Sequence, residues 1–185
     1  MSDARYERSR TAVHEAVCSV LVVDGLGGLT PDRLAQESGV SRSTIYRNWP
    51  DMVALASEVF DELMHREPVD LSGDAATSVR EYLADYARRL NNPVYTAVLV
   101  ALIEASARDE ALADVHQRVF GQSRTRASEV VRMAKRAGVV SRDRDEAQCI
   151  EDMVAPFLYR RLVTRQRITP AQVERLRDDL LERWS

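Results

Sequence analysis

Thr30-Pro31-Asp32-Arg33-Leu34-Ala35-Gln36-Glu37-Ser38-Gly39-Val40-Ser41-Arg42-Ser43-Thr44-Ile45-Tyr46-Arg47-Asn48-Trp49-Pro50-Asp51 is the stretch around which the chain is organised. It predicts two short helices joined by a glycine turn. Thr30 is an N-cap, Pro31 occupies the first helical position where no N–H is needed, and Asp32 faces the positive end of the helix dipole. Leu29 before the cap can close over Leu34 as a hydrophobic staple. Gly39 offers the left-handed backbone on which helices commonly end. Ser41 then caps a second helix, with Val40 stapled to Ile45, and Pro50 disfavours a helical Trp49.

Two capped helices of about two turns each around a short glycine turn match the helix-turn-helix unit. Leu34, Ala35, Val40 and Ile45 point inward. Arg42, Ser43, Thr44, Tyr46, Arg47 and Asn48 remain outward on the second helix, all able to hydrogen-bond and none acidic. Such a face suits phosphates and base edges in a major groove.

At 185 residues the chain can bury a real core in one or two domains. A 45% apolar and 30% charged composition is that of an ordinary globule, and the net charge of −3 argues against a protein that coats nucleic acid nonspecifically. Residues 1–50 are neutral overall, so any DNA affinity must come from how the charges are placed. Cys18 and Cys149 lie far apart in apolar helical patterns and read as buried free thiols. With no signal peptide and no bilayer-spanning run, a cytoplasmic protein is expected.

Upstream, Val13, Ala16, Val17, Val20 and Leu21 recur at helical spacing and end at Gly25, Gly27 and Gly28. Arg5, Arg8 and Arg10 crowd the start of this helix, where a phosphate or a minor groove could lie; a solvated helix end is an equal reading. After Pro50, Asp51 caps a helix running to about Arg66. Residues 67–74 form an internal boundary rich in turn residues. Beyond them come a helix from about Ala75 ended by Asn91-Asn92-Pro93, an all-round apolar helix from Tyr95 to Ala107, and a long helix from about Asp109 to Ala137 stopped by Gly138. Asp143 and Glu146 can form a capping box for the next helix, in which Pro156 predicts a kink; Thr169, Pro170 and Gln172 open the last. The expectation is an all-α fold of about nine helices, divided into residues 1–50 and 51–185. Ile150, Val154, Phe157, Val173, Leu176, Leu180 and Trp184 line the apolar stripes of the last two helices. A second copy covering them as a four-helix dimer bundle and intrachain packing are both open.

Ala35, Gly39, Val40 and Ser41, then Tyr46, Trp49, Pro50 and Leu55, together resemble the DNA-binding domain of TetR-family transcriptional regulators. The later Arg108-Asp109-Glu110 start of the long helix and the run from Pro156 to Val163 are similar to the family's larger domain. The resemblance implies a homodimeric regulator, usually a repressor, that binds double-stranded DNA at a palindromic operator and leaves it when a small molecule enters the larger domain. It makes Thr30, Ser41 and Tyr46 phosphate contacts, the rigid Tyr46 ring setting a hydroxyl at fixed reach, and Arg42, Ser43, Thr44 and Arg47 groove contacts. Met52 stands where many members carry a phosphate-binding Lys, and Ser43 where Gly is common.

The expected effector is apolar or aromatic, with Phe60, Met64, Tyr82, Tyr86, Tyr95, Leu99, Leu102, Phe120, Met153 and Phe157 as its candidate walls. A purely dimerising or protein-docking larger domain is the alternative. An all-helical enzyme is the rival from another class. His14, His65 and His116 stand alone, however, and no metal-binding spacing, phosphate loop or nucleophile elbow occurs, so neither metal nor cofactor is expected.

Overall fold

The computed structural model describes residues 3–64, 73–107 and 110–185. Among these residues it has nine α-helices and no strand. They are α1 (Asp3–Val23), α2 (Pro31–Ser38), α3 (Arg42–Asn48), α4 (Met52–Met64), α5 (Ala75–Asn91), α6 (Pro93–Ser106), α7 (Glu110–Arg136), α8 (Glu146–Leu158) and α9 (Pro170–Trp184). A 3₁₀ turn, Leu26–Gly28, follows α1, and a π-helical turn, Tyr159–Val163, follows α8. No helix among the described residues is long and apolar enough to cross a membrane.

The chain forms two compact units, one of residues 1–65 with 97–119, the other of residues 66–96 with 120–185. In the first, α1 packs on α2 and α4. Its core takes Val13, Val17 and Val20 from α1, Leu34 from α2, Ile45 from α3, and Leu55, Ala56, Val59 and Phe60 from α4, all buried. Each large aliphatic side chain so buried contributes on the order of 1.5–3 kcal/mol. The division expected after residue 50 therefore separates α4 from the body it packs in. The first unit runs past Pro50 because α4 turns its apolar stripe onto α1.

In the second unit α5 packs on α8 and α9. Asn91 closes the far end of α5: its Nδ2 donates to the Ile168 carbonyl at 2.8 Å and its Oδ1 accepts from the Ile168 N–H at 3.0 Å. Val173, Leu176, Leu180 and Trp184 are all buried within this unit, Leu180 and Trp184 completely. That corrects the reading of these four as a face for a second copy. The stripe of α9 is met by α5 of the same chain, a partner that periodicity alone does not reveal. Phe157 of α8 is also buried, whereas Ile150 and Val154 are only half-buried.

Two terminal signals are also corrected. Asp145, not Asp143, caps α8, its carboxylate accepting from the Gln148 N–H at 3.2 Å. Glu146 is then the first helical residue, too early for a capping box, and binds Arg132 Nε of α7 at 2.9 Å. Pro156 lies inside α8, which continues past it into the π-helical turn, where the Thr164 N–H reaches back to the Tyr159 carbonyl at 3.1 Å.

Candidate nucleic-acid interface

The turn between α2 and α3 is held at every joint by groups the local sequence supplies. Thr30 accepts from the Arg33 N–H at 3.2 Å, and Gly39, at φ 70°, donates its N–H to the Ala35 carbonyl. Ser38 bridges the exit, its hydroxyl donating to the Leu34 carbonyl at 2.6 Å and accepting from the Val40 N–H at 3.1 Å. Ser41 accepts from the Thr44 N–H at 3.3 Å and contacts the Ser43 and Thr44 hydroxyls at 3.2 and 2.9 Å. Below them Ile45 is fully buried, so α3 has a fixed inner side and a solvent side.

That solvent side carries the expected residues. Arg42, Ser43, Tyr46 and Arg47 are exposed, Thr44 and Asn48 half-exposed, and Thr30 and Ser41 expose their capping hydroxyls. A hydroxyl that accepts from a backbone N–H can still donate its own proton to a phosphate oxygen. Tyr46, at 55% exposure, leaves its ring and hydroxyl free to reach outward.

An open cleft of about 900 Å³ joins the start of α1 to α3. Arg5, Tyr6 and Ser9 line one side, and Gly39, Val40, Ser41, Thr44, Arg47 and Asn48 the other. Of the three N-terminal arginines only Arg5 reaches it; Arg10 is turned toward Glu7 at 3.6 Å. Tyr6 was not foreseen. Its ring stacks on Trp49 at 6.2 Å, and the buried Trp49 indole N–H donates to Glu58 at 3.4 Å. The signal was present in the sequence, since Tyr6 continues the apolar stripe of α1 seven residues before Val13.

The charges on this surface are largely arranged by ion pairing. Arg33 contacts Asp24 at 2.9 Å and Glu37 at 2.8 Å, and Glu37 also accepts from the Ser19 hydroxyl at 2.7 Å. These hydrogen bonds push the Arg33 guanidinium up and hold the Glu37 carboxyl below the usual carboxylate range. Arg42 meets Asp32 at 2.8 Å, so the outer face, acid-free along α3 itself, receives one carboxylate from α2. Met52 is half-buried beside Asp51, whose carboxylate caps α4 through the Val53 and Ala54 N–H groups at 2.8 and 3.2 Å. His14 of α1 donates from Nδ1 to Glu62 of α4 at 2.7 Å, a polar clasp between the two helices.

The candidate effector walls divide between the two units. Phe60, Leu99 and Leu102 are buried in the first. Tyr82, Tyr86, Tyr95, Met153 and Phe157 are buried in the second, where Phe120 is half-buried. The Met64 side chain lies outside the described residues. Among the described residues no cluster of His, Cys, Asp and Glu has the arrangement of a metal site.

A tetracyclin repressor-like C-terminal domain matches residues 68–180. An uncharacterized HTH-type transcriptional regulator of Bacillus subtilis, YdeS, is 27% identical over 174 residues, covering 93% of this chain and 87% of that protein. The crystal structure of the TetR family transcription regulator SCO0332 superposes with a TM-score of 0.65 at 27% identity, covering 94% of this chain and 97% of the other. A TetR transcriptional regulator from Agrobacterium tumefaciens shares the fold at 17% identity with a TM-score of 0.69, covering 95% of this chain and 94% of that one. With the family's C-terminal domain matched over more than half the chain and a capped helix-turn-helix ahead of it, the protein belongs to the TetR family of DNA-binding transcriptional regulators, which are not enzymes.

Proposed function

We propose that the protein is a ligand-responsive repressor that binds a palindromic operator as a homodimer and is released by a small molecule. The observation that carries this reading is the outer face of α3: six hydrogen-bonding side chains stand over a rigid, doubly capped turn, with a polar cleft at their edge. In this reading Arg42, Ser43, Thr44, Arg47 and Asn48 meet base edges. Thr30, Ser41 and Tyr46, with Arg5 of the cleft, meet phosphates and set register without sequence information.

A two-fold dimer presents two such helices, and they fit one face of the duplex only when about one turn, roughly 34 Å, or a multiple separates them. Ligand control then requires a change in that separation, and the ligand must bind the DNA-incompetent arrangement better. The clasp of His14 with Glu62 makes α4 the element through which α1 and the reading head would feel such a change. Incubation of the protein with a fragment pool of its host genome at moderate salt should enrich a palindromic site. Recovery of no site, or of one without two-fold symmetry, would remove the main support for this function.

A further inference from the structure

The effector response leaves the chemistry of the ligand open, and α5 carries a buried set of polar groups that narrows it. Ser78, Tyr82, Tyr86 and Arg89 recur at helical spacing along one face of α5, all of them buried. The hydroxyls of Ser78 and Tyr82 have no hydrogen-bond partner. A buried hydroxyl left unpaired is costly, so each one calls for an explanation, a bound ligand or ordered water among them.

Arg89 lies beside them. Its guanidinium carbon sits 5.3 Å from the centre of the Tyr86 ring and 5.8 Å from that of Tyr95. Nη1 donates to the Tyr95 hydroxyl at 3.4 Å, a long contact. Nε is 3.0 Å from the Asp85 carboxylate but not in hydrogen-bond geometry, and Asp85 is shared with Arg88. One carboxylate thus faces two guanidiniums, and the buried Arg89 Nε has no hydrogen-bond partner. Burial pushes the Tyr82 phenol up to about 12 and Tyr86 higher, so both remain neutral O–H donors at neutral pH. The positive charge of Arg126 on α7 also acts on the Tyr82 hydroxyl. The rings of Tyr82 and Tyr86 stack at 6.3 Å with 15° between their planes, a flat apolar wall next to this concentration of donors.

Resting on the effector reading above, we propose that the ligand is an aromatic carboxylate, its anionic end taken by the Arg89 guanidinium with the Tyr82 hydroxyl and its ring laid against Tyr82 and Tyr86. The planar guanidinium matches a carboxylate with two parallel N–H donors, a fit that a neutral alcohol or an amine does not offer. The orphan Tyr82 hydroxyl gains the acceptor it lacks.

Calorimetric titration of the full-length protein with benzoate and 3-phenylpropanoate, each against its neutral partner benzyl alcohol or 3-phenylpropanol, tests the assignment. At least one carboxylate should bind about tenfold or more tightly than its alcohol, the scale of one charge-assisted contact. Arg89→Gln should abolish that preference. Because a buried arginine can be needed for folding, Tyr82→Phe is the second variant. It should lower carboxylate affinity about tenfold while leaving the thermal midpoint of the ligand-free protein unchanged or raised, since it deletes an unpaired hydroxyl. A lowered midpoint with unchanged carboxylate binding, equal binding of acids and alcohols, or no binding of either acid would overturn the proposal. Operator release by charge-separated small-molecule fractions of host-cell extract scores the effector reading separately. Release by anionic fractions supports both ideas; release by neutral or cationic fractions alone sinks the carboxylate and leaves the effector; release by none sinks both.

Discussion

Arg42 opens α3 with its guanidinium against Asp32, both side chains well exposed at 61% and 66%. An ion pair so exposed is worth at most about 1 kcal/mol, while a bidentate arginine contact to guanine is worth about 1–3 kcal/mol of base discrimination. A guanine contact by Arg42, as proposed above, would therefore outcompete its pair with Asp32. Tyr46 is proposed to meet a phosphate, a contact that carries no sequence information. Arg42→Ala should alter which bases are preferred, whereas Tyr46→Phe should weaken all sites alike, by about the 1 kcal/mol of one hydrogen bond. Specificity profiles from selected DNA pools check both, and a profile for Arg42→Ala identical to that of the unaltered protein would count against base reading. The caps at Thr30 and Ser41 were legible in the sequence because a cap is decided within four residues. The Asp32–Arg42 pair was not, because it forms only once the turn at Gly39 folds the two helix starts together.

The helices themselves were read closely where their signals were local. α2 and α3 start and stop where their caps and Gly39 dictate, and α7 ends before Gly138 at φ 75°. Errors came where a residue had two uses. Glu146 carries the side chain of a capping box, but its carboxylate is taken by Arg132 and Ser128 of α7, a tertiary choice. Glycine shows the same dependence on context, with opposite signs at two positions. Gly39 sits at φ 70°, where a Cβ would meet no neighbour yet forces an L residue into left-handed backbone. Gly39→Ala should cost about 1–2 kcal/mol. Gly121 lies inside α7 with helical backbone, and a Cβ there also meets nothing within 4 Å. Gly121→Ala should stabilise by about 0.8–1 kcal/mol, the helix-propensity difference. Urea denaturation midpoints should move down for the first and up for the second; a shift of the same sign in both would refute the backbone argument.

For the whole molecule, the division into two units runs through α6 and α7, so each unit combines segments distant in sequence. The cut after residue 65 falls beside the turn-rich residues 67–74, but no composition shift marks the cuts inside α6 and α7, and a boundary placed after Pro50 leaves α4 out of the unit it packs in. The same non-local packing decides the dimer. α9 shows the cleaner seam in the sequence, yet Leu176 is 8% exposed, and Leu180 and Trp184 fully buried, in the chain by itself. Within the second unit, apolar surface is left uncovered past the end of α8, where Tyr159 and Val163 stay 62% and 63% exposed in the π-helical turn. Large exposed apolar side chains close together mark an interaction surface, and with Val154 and Ile150 of α8 they are proposed as the face that a two-fold partner would cover. Tyr159→Glu combined with Val163→Glu should yield a monomer with unchanged helical circular dichroism and weakened operator binding, because the substituted positions are already in water. Leu176→Glu combined with Leu180→Glu should instead unfold the protein. Two unpaired charges placed in a core cost several kcal/mol each, against a total stability of about 5–15 kcal/mol. Light scattering after size-exclusion chromatography, with circular dichroism on the same fractions, separates these outcomes. A folded monomer from the leucine pair, together with an intact dimer from the Tyr159 and Val163 pair, would return the interface to the α9 seam.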